Sequence, residues 1–146
     1  MDEHRVRELA GELRRIVAEL DVAAAGAEVQ AGVAAPWLRS VLRARRLRGA
    51  YFDGALFADP AWDMMLDLLA AQLERRPVGV SSLCLASSVP PTTALRWIRI
   101  LTERGIFERR GDTADGRRVF VELSDPAAAR LRAYLSDMRA AVPDCI

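Results

Sequence analysis

Apolar residues recur at Val6, Leu9, Leu13, Ile16 and Leu20, in alternating steps of three and four. That is the a/d seam of a helix over residues 2–20, at the 3.5-residue period of a coiled coil. About two heptads are marginal alone. The seam must therefore pack on its own domain or on a second copy. Residues 21–35 are rich in Ala, Val and Gly, with Gly26 and Gly32 among them, and read as a frayed helix end or a linker. Pro36 suits the first turn of a helix carrying residues 37–49. Asp59-Pro60 announces the next helix: Asp caps it and Pro takes the first helical position. It runs through Trp62, Met65, Leu66, Leu69 and Leu73 to a stop at Arg75-Arg76-Pro77. As the most hydrophobic helix, it is expected at the centre of the domain.

The pattern then shortens. Ser81 or Ser82 caps a short helix over about 82–88, with Leu83 and Ala86 pointing inward. Val89-Pro90-Pro91 is a sharp turn. Pro91 opens a second helix over 91–104, and Gly105 stops it. Two short helices across a tight turn predict a helix-turn-helix. At about 100° per residue, Trp97, Ile98 and Leu101 fall within about 60° of Ala94, while Thr92, Arg96 and Arg99 lie on the opposite face. Thr93 sits beside them in the first turn. An Arg/Thr face suits a major-groove reader, because Arg forks onto guanine and Thr reaches a phosphate or a thymine methyl. A merely solvated face is the plain alternative.

Residues 106–110 and 118–123 read as strands around a polar tip, 111–116. The result is a β-hairpin wing over 106–123, with Arg117 and Arg118 at or just past its tip. Ser124-Asp125-Pro126 opens a last helix through Ala129, Leu131, Tyr134, Leu135 and Met138, ended by Pro143. The fold class is mainly α with a small β-wing.

Charge changes this picture little in sum and more in place. There are 21 basic and 20 acidic residues, for a net charge of +1, and every basic residue is Arg. Nucleic-acid binding depends on where charge sits. Arg39, Arg43, Arg45, Arg46 and Arg48 crowd one helix without an acid, and Arg39, Arg43 and Arg46 share a face. They are solvated, contact phosphate, or pair with the acidic segment that follows. The single histidine, His4, removes most histidine-based catalysis and metal sites. None of the patterns HExxH, GxSxG or GxxxxGK[ST] occurs. No enzyme activity, cofactor or metal is expected. Cys84 reads as a core thiol, and neither Cys84 nor Cys145 has metal-like spacing. Trp37, Trp62 and Trp97 are core candidates. Met1 to Arg7 shows no signal-peptide pattern, and no run approaches the roughly 20 apolar residues of a membrane span. A cytoplasmic, reducing setting without membrane contact is the expectation.

Residues 80–125 resemble the MarR-type winged-helix regulators. The pattern is Leu83 to Val89, a polar start to the second helix, then Arg96, Leu101 and Gly105. After it comes Asp115-Gly116-Arg117-Arg118, followed by a strand ending Leu123-Ser124. Residues 57–69 are similar to the MarR-like regulators of alphaproteobacteria. The resemblance implies that Asp115 orders the wing, Arg117 enters the minor groove and Arg96 reads bases. It further implies a homodimer built from N- and C-terminal helices on a two-fold operator, with a small-molecule effector that no residue names. Ser88 stands where the family's turn often has Gly, Pro90-Pro91 replaces a polar pair, and the N-terminal arm aligns with no standard family helix.

The expected organisation is an N-terminal helical arm and linker, 1–35, and a winged helix-turn-helix domain, 36–142. The expected function is sequence-specific binding of double-stranded DNA by Thr92, Thr93, Arg96, Arg99, Arg117 and Arg118. The competing reading is a winged-helix module that binds another protein and no DNA. Glu103, Glu108, Asp112 and Asp115 lend it support, since they stand among seven arginines between Pro90 and Arg118. It would gain if those arginines were tied up in internal pairs.

Overall fold

The computed structural model describes residues 3–141. The chain divides into two compact units, Met1–Gly32 and Val33–Ile146.

The first unit is one helix, α1 (Glu3–Gly32). It continues across most of the segment read as a frayed helix end or a linker. Alanine is the best helix former, and its repetition over 23–27 offsets the roughly 1 kcal/mol that a helical Gly costs. The seam is uncovered: Leu9, Leu13, Ile16 and Leu20 are 47–63% exposed.

The second unit begins with α2 (Ala35–Leu47), where Pro36 sits in the first turn as expected. Two 3-10 turns follow, Arg48–Ala50 and Gly54–Phe57, the latter capped by Asp53, which accepts from the Ala55 amide at 3.0 Å. Next comes α3 (Pro60–Leu73). Asp59 caps it, its carboxylate accepting from the Trp62 amide at 3.3 Å. The expected single stripe understates its burial. Met64, Leu66, Leu68, Leu69, Ala70 and Ala71 are all buried, whereas Trp62, Met65 and Leu73 are half-buried. The cause is enclosure, since α2, α4 (Val80–Ala86), α5 (Pro91–Glu103) and β2 (Val119–Leu123) all pack against it.

The arginines of α2 part company on this helix. Arg39 donates from Nη1 to Asp67 at 2.6 Å and from Nε to Glu74 at 2.8 Å. Burial alone would lower the Arg39 pKa, but the hydrogen bonds and charges of Asp67 and Glu74 outweigh it and raise it. Arg45 donates from Nε to Asp63 at 2.7 Å. Arg43 donates to Ser40 Oγ at 2.9 Å. Pairing with the acidic segment thus holds for Arg39 and Arg45. It was not legible which would pair, because the partners lie 18 to 35 residues away.

The short helix α4 starts two residues earlier than expected, and neither Ser81 nor Ser82 caps it. Its N-cap is Gly79, without a side-chain cap. The reason is a third strand-like segment. The Val121 amide donates to the Val78 carbonyl at 2.9 Å, and Gly79 bridges Phe120. That pairing holds residues 78–79 extended, so the helix begins directly afterwards. Leu83 is buried as expected, while Ala86 is only half-buried.

From Pro91, α5 runs to an Arg104 C-cap and Gly105 at φ 71°. The Ile106 amide donates to Leu101 at 2.9 Å and the Gly105 amide to Thr102 at 3.0 Å, the paired bonds of a Schellman stop. The wing is β1 (Phe107–Gly111) against β2, antiparallel, with Phe107 opposite Leu123 and Gly111 opposite Val119. Finally α6 (Asp125–Ala141) is capped by Ser124. Its Oγ accepts from the Ala127 amide at 3.4 Å and donates to the Gly105 carbonyl at 2.7 Å. Leu131 and Leu135 enter the core, and Tyr134 stacks edge-on against Trp62 at 5.3 Å. The expected stop at Pro143 lies outside the described residues.

Two helix ends other than Gly105 use left-handed residues with a side chain, Arg75 (φ 55°) and Ser88 (φ 58°). A Cβ is disfavoured there and glycine is not. Ser88→Gly should therefore stabilise the protein by roughly 0.5–1 kcal/mol. Chemical denaturation of the two proteins measures this, and an unchanged or lower midpoint for the variant counts against strain at the turn.

Candidate nucleic-acid interface

The face of α5 is set by its buried side. Ala94, Ile98 and Leu101 are buried, and Trp97 is half-buried at the edge of the same side. Thr92, Thr93, Arg96 and Arg99 are exposed. Thr92, Thr93 and Arg96 line one depression with Trp97 and Ile100. Arg99 does not line that depression. It approaches Glu103 at 4.0 Å, with both side chains mostly exposed. A pair of that kind is worth a few tenths of a kcal/mol at most, about 0.3–0.5 in a helix, and does not immobilise the guanidinium.

The wing tip is built from two aspartates. Asp112 Oδ1 accepts from the Ala114 amide at 2.9 Å, and Asp115 Oδ1 accepts from the Arg117 amide at 3.1 Å. The backbone closes around them: the Asp112 amide donates to Arg118 and the Arg118 amide to Asp115, each at 3.0 Å. Short aspartate side chains that bond the backbone two residues on make such a turn without help from a core. Asp112 lies within the expected tip, 111–116, but its part in ordering that tip was missed. Its signal was there, in an Asp two residues before a small residue within a Gly/Asp-rich stretch.

Arg117 and Arg118 are exposed, and they line a second depression together with Ser81, Ser82 and Phe120. The two serines expected as caps thus stand on the first turn of α4, facing the space beside the wing. Arg96, Arg109, Arg117 and Arg118 make no ion pair among the described residues. Arg110 approaches Glu122 at 3.7 Å across the hairpin, with both side chains substantially exposed. Most of these arginines are therefore not consumed by internal pairs, and the protein-binding reading, which would have gained from such pairing, does not gain.

Burial pushes the Cys84 thiol pKa up, which keeps it protonated and a poor nucleophile. Cys145 lies outside the described residues. Among the described residues no group of three or more His, Cys, Asp or Glu side chains could hold a metal ion. No helix among them is long and apolar enough to cross a membrane.

Several solved structures are similar to this chain. The MepR–DNA complex of S. aureus is 19% identical with a TM-score of 0.48, over 53% of this chain and 61% of that one. MepR of S. aureus in its DNA-binding conformation is 15% identical with a TM-score of 0.49, over 92% and 81%. A MarR family transcriptional regulator from Silicibacter pomeroyi is 18% identical with a TM-score of 0.48, over 75% and 68%. The chain spans 53% of a mutant MepR from a multidrug-resistant S. aureus isolate and 61% of the MepR chain bound to DNA. No curated protein matches it. The family match falls on the part of the chain that carries the exposed α5 face and the wing: residues 68–127, from within α3 through α4, α5 and the hairpin to the first turn of α6, match the winged helix DNA-binding domain family.

Proposed function

We propose that this protein is a sequence-specific DNA-binding transcriptional regulator of the MarR-like type, acting as a homodimer on a palindromic operator in the cytoplasm. The observation that carries the reading is the exposed Thr92/Thr93/Arg96 face of α5, inside the segment that matches the winged helix family. The α5 helix enters the major groove, where Arg96 forks onto a guanine and Arg99 reaches a base or phosphate. Thr92 and Thr93 contact backbone or a thymine methyl. The wing lies along the minor groove, whose negative potential attracts Arg117 and Arg118. Asp115 holds the tip in shape for this by its bond to the Arg117 amide.

The dimer rests on the uncovered seam of α1. Four large apolar side chains at a/d spacing lose water only against another surface, and a second copy offers the same seam. Together with the C-terminal helix this gives a two-fold protein, and a two-fold protein selects a two-fold site.

Selection of random duplexes by the purified protein should enrich an inverted repeat with half-sites about one helical turn apart. Absence of any enrichment would favour a protein-binding module instead. Arg96→Ala should cost about 1–3 kcal/mol of base discrimination at one position, measured by competition between operator variants. Arg117→Ala should weaken all sequences evenly and reduce the salt slope of log K by about 1. If both variants bind the operator as the parent does, α5 and the wing are not the reader.

Asp115→Ala should speed amide hydrogen exchange at Arg117 while leaving the amides of β2 protected. Equal exchange in the two proteins would remove Asp115 from the ordering of the tip. Sedimentation at micromolar concentration should give a dimer, and Leu13→Asp on the α1 seam should shift it to the 16.1 kDa monomer. A parent protein that sediments as a monomer sinks the dimer.

A further inference from the structure

The arginine-rich end of α2 takes no part in the proposed reading of DNA by α5 and the wing. Of its arginines, Arg39 and Arg45 are held by carboxylates on or just after α3. Arg46 and Arg48 make no ion pair among the described residues. Both border an open cavity of about 200 Å³ between the end of α2, the two 3-10 turns, the start of α3 and the turn between α4 and α5. Arg45, Arg46, Arg48, Phe57, Asp63 and Ser88 form its principal walls.

Charge in this cavity does not cancel. Arg45, Arg46 and Arg48 line it with one acidic residue, Asp63, and Arg45 is already taken up, by Asp63 at 2.7 Å and by Asp59 at 3.9 Å. Arg48 is held in place by other means. Its guanidinium lies 4.9 Å from the centre of the Phe57 ring, and its Nε donates to the Arg45 carbonyl at 3.2 Å. Phe52 braces Phe57 edge-on at 6.1 Å. An aromatic face and a backbone carbonyl position the cation without neutralising it, so the Arg48 Nη groups keep their donors for a ligand. The volume is below the roughly 300–1,000 Å³ of pockets for drug-sized molecules.

We propose that this cavity is a binding site for a phosphate group. A phosphate carries a charge near −1.5 to −2 when it is a monoester and presents three strong acceptor oxygens. Arg46 and Arg48 offer fork-shaped donors that suit it better than a single ammonium would. The group comes from one of two sources, a phosphodiester of bound DNA or a free phosphate compound. Ser88, the left-handed link that joins α4 to α5, lines the same cavity.

The test uses the full chain and the variant Arg46→Gln/Arg48→Gln, neither residue belonging to the proposed DNA-reading set. The first arm titrates inorganic phosphate against chloride at matched ionic strength and follows the melting temperature. Phosphate stabilises any fold somewhat by exclusion, so the reading is the difference between parent and variant. The parent should show a saturable rise, and the variant should bind phosphate at least tenfold more weakly. The second arm measures the salt slope of DNA binding. A slope lower by about 1 in the variant identifies a backbone phosphate as the occupant. An unchanged slope with a lost phosphate response identifies a free phosphate compound. Variant and parent behaving alike in both arms overturns the site. The first arm needs no DNA, so it decides the site even if the DNA-binding reading fails. Arg46→Gln alone serves if the double variant does not fold.

Discussion

Asp67 lies in the middle of the most apolar helix of the chain, 7% exposed, and Arg39 reaches it from α2 at 2.6 Å. That contact sets much of what surrounds it. A carboxylate at such a place is tolerated only with a partner, and loss of the partner from a partly buried pair costs on the order of 3 kcal/mol. The register of α2 on α3 is therefore restricted to the one that brings Arg39 opposite Asp67, with Glu74 on its other side. One turn and a half further along α2, Arg45 meets Asp63 in the same way. Two rungs of opposite charge fix the sliding of two helices that apolar contacts alone would hold less specifically.

With α2 fixed, α3 becomes the floor on which α4, α5 and β2 rest. Leu83 from α4, Ile98 and Leu101 from α5, Phe107 from β1 and Val121 and Leu123 from β2 belong to one continuous core with α3. The side of α5 turned to that core decides which side is left for solvent. The exposed arginine and threonine side chains are thus a consequence of burying Ala94, Ile98 and Leu101.

Much of α5 and the wing was legible because the signals are local. Pro91 and Gly105 bracket the helix, a 3.6-residue period separates its faces, and Asp115-Gly116 marks the hairpin tip. The start of α4 was not legible. It depends on Val78 and Gly79 pairing with β2, some forty residues downstream, and no pattern near Ser81 reports that. The partners of Arg39 and Arg45 were hidden for the same reason. The continuation of α1 past residue 20 was misread because glycine was weighed more heavily than the alanines around it. Of the exposed face of α5, Thr92, Arg96 and Arg99 followed from angle alone. The pairing state of the arginines, which separates a DNA reader from a protein-binding module, required coordinates.

The bond from Val121 to Val78 and the bridge from Gly79 to Phe120 tie the base of the wing to the segment that leads into α4. The hairpin is consequently not an appendage with its own stability. Opening its base also breaks the pairing of residues 78 and 79, which couples the two segments in one unit of local opening. The tip, held by two aspartate side chains and a pair of backbone bonds, is free to fray within that unit. The residues around Asp115 are thus held by local bonds alone, whereas the base of the hairpin is tied to the segment before α4.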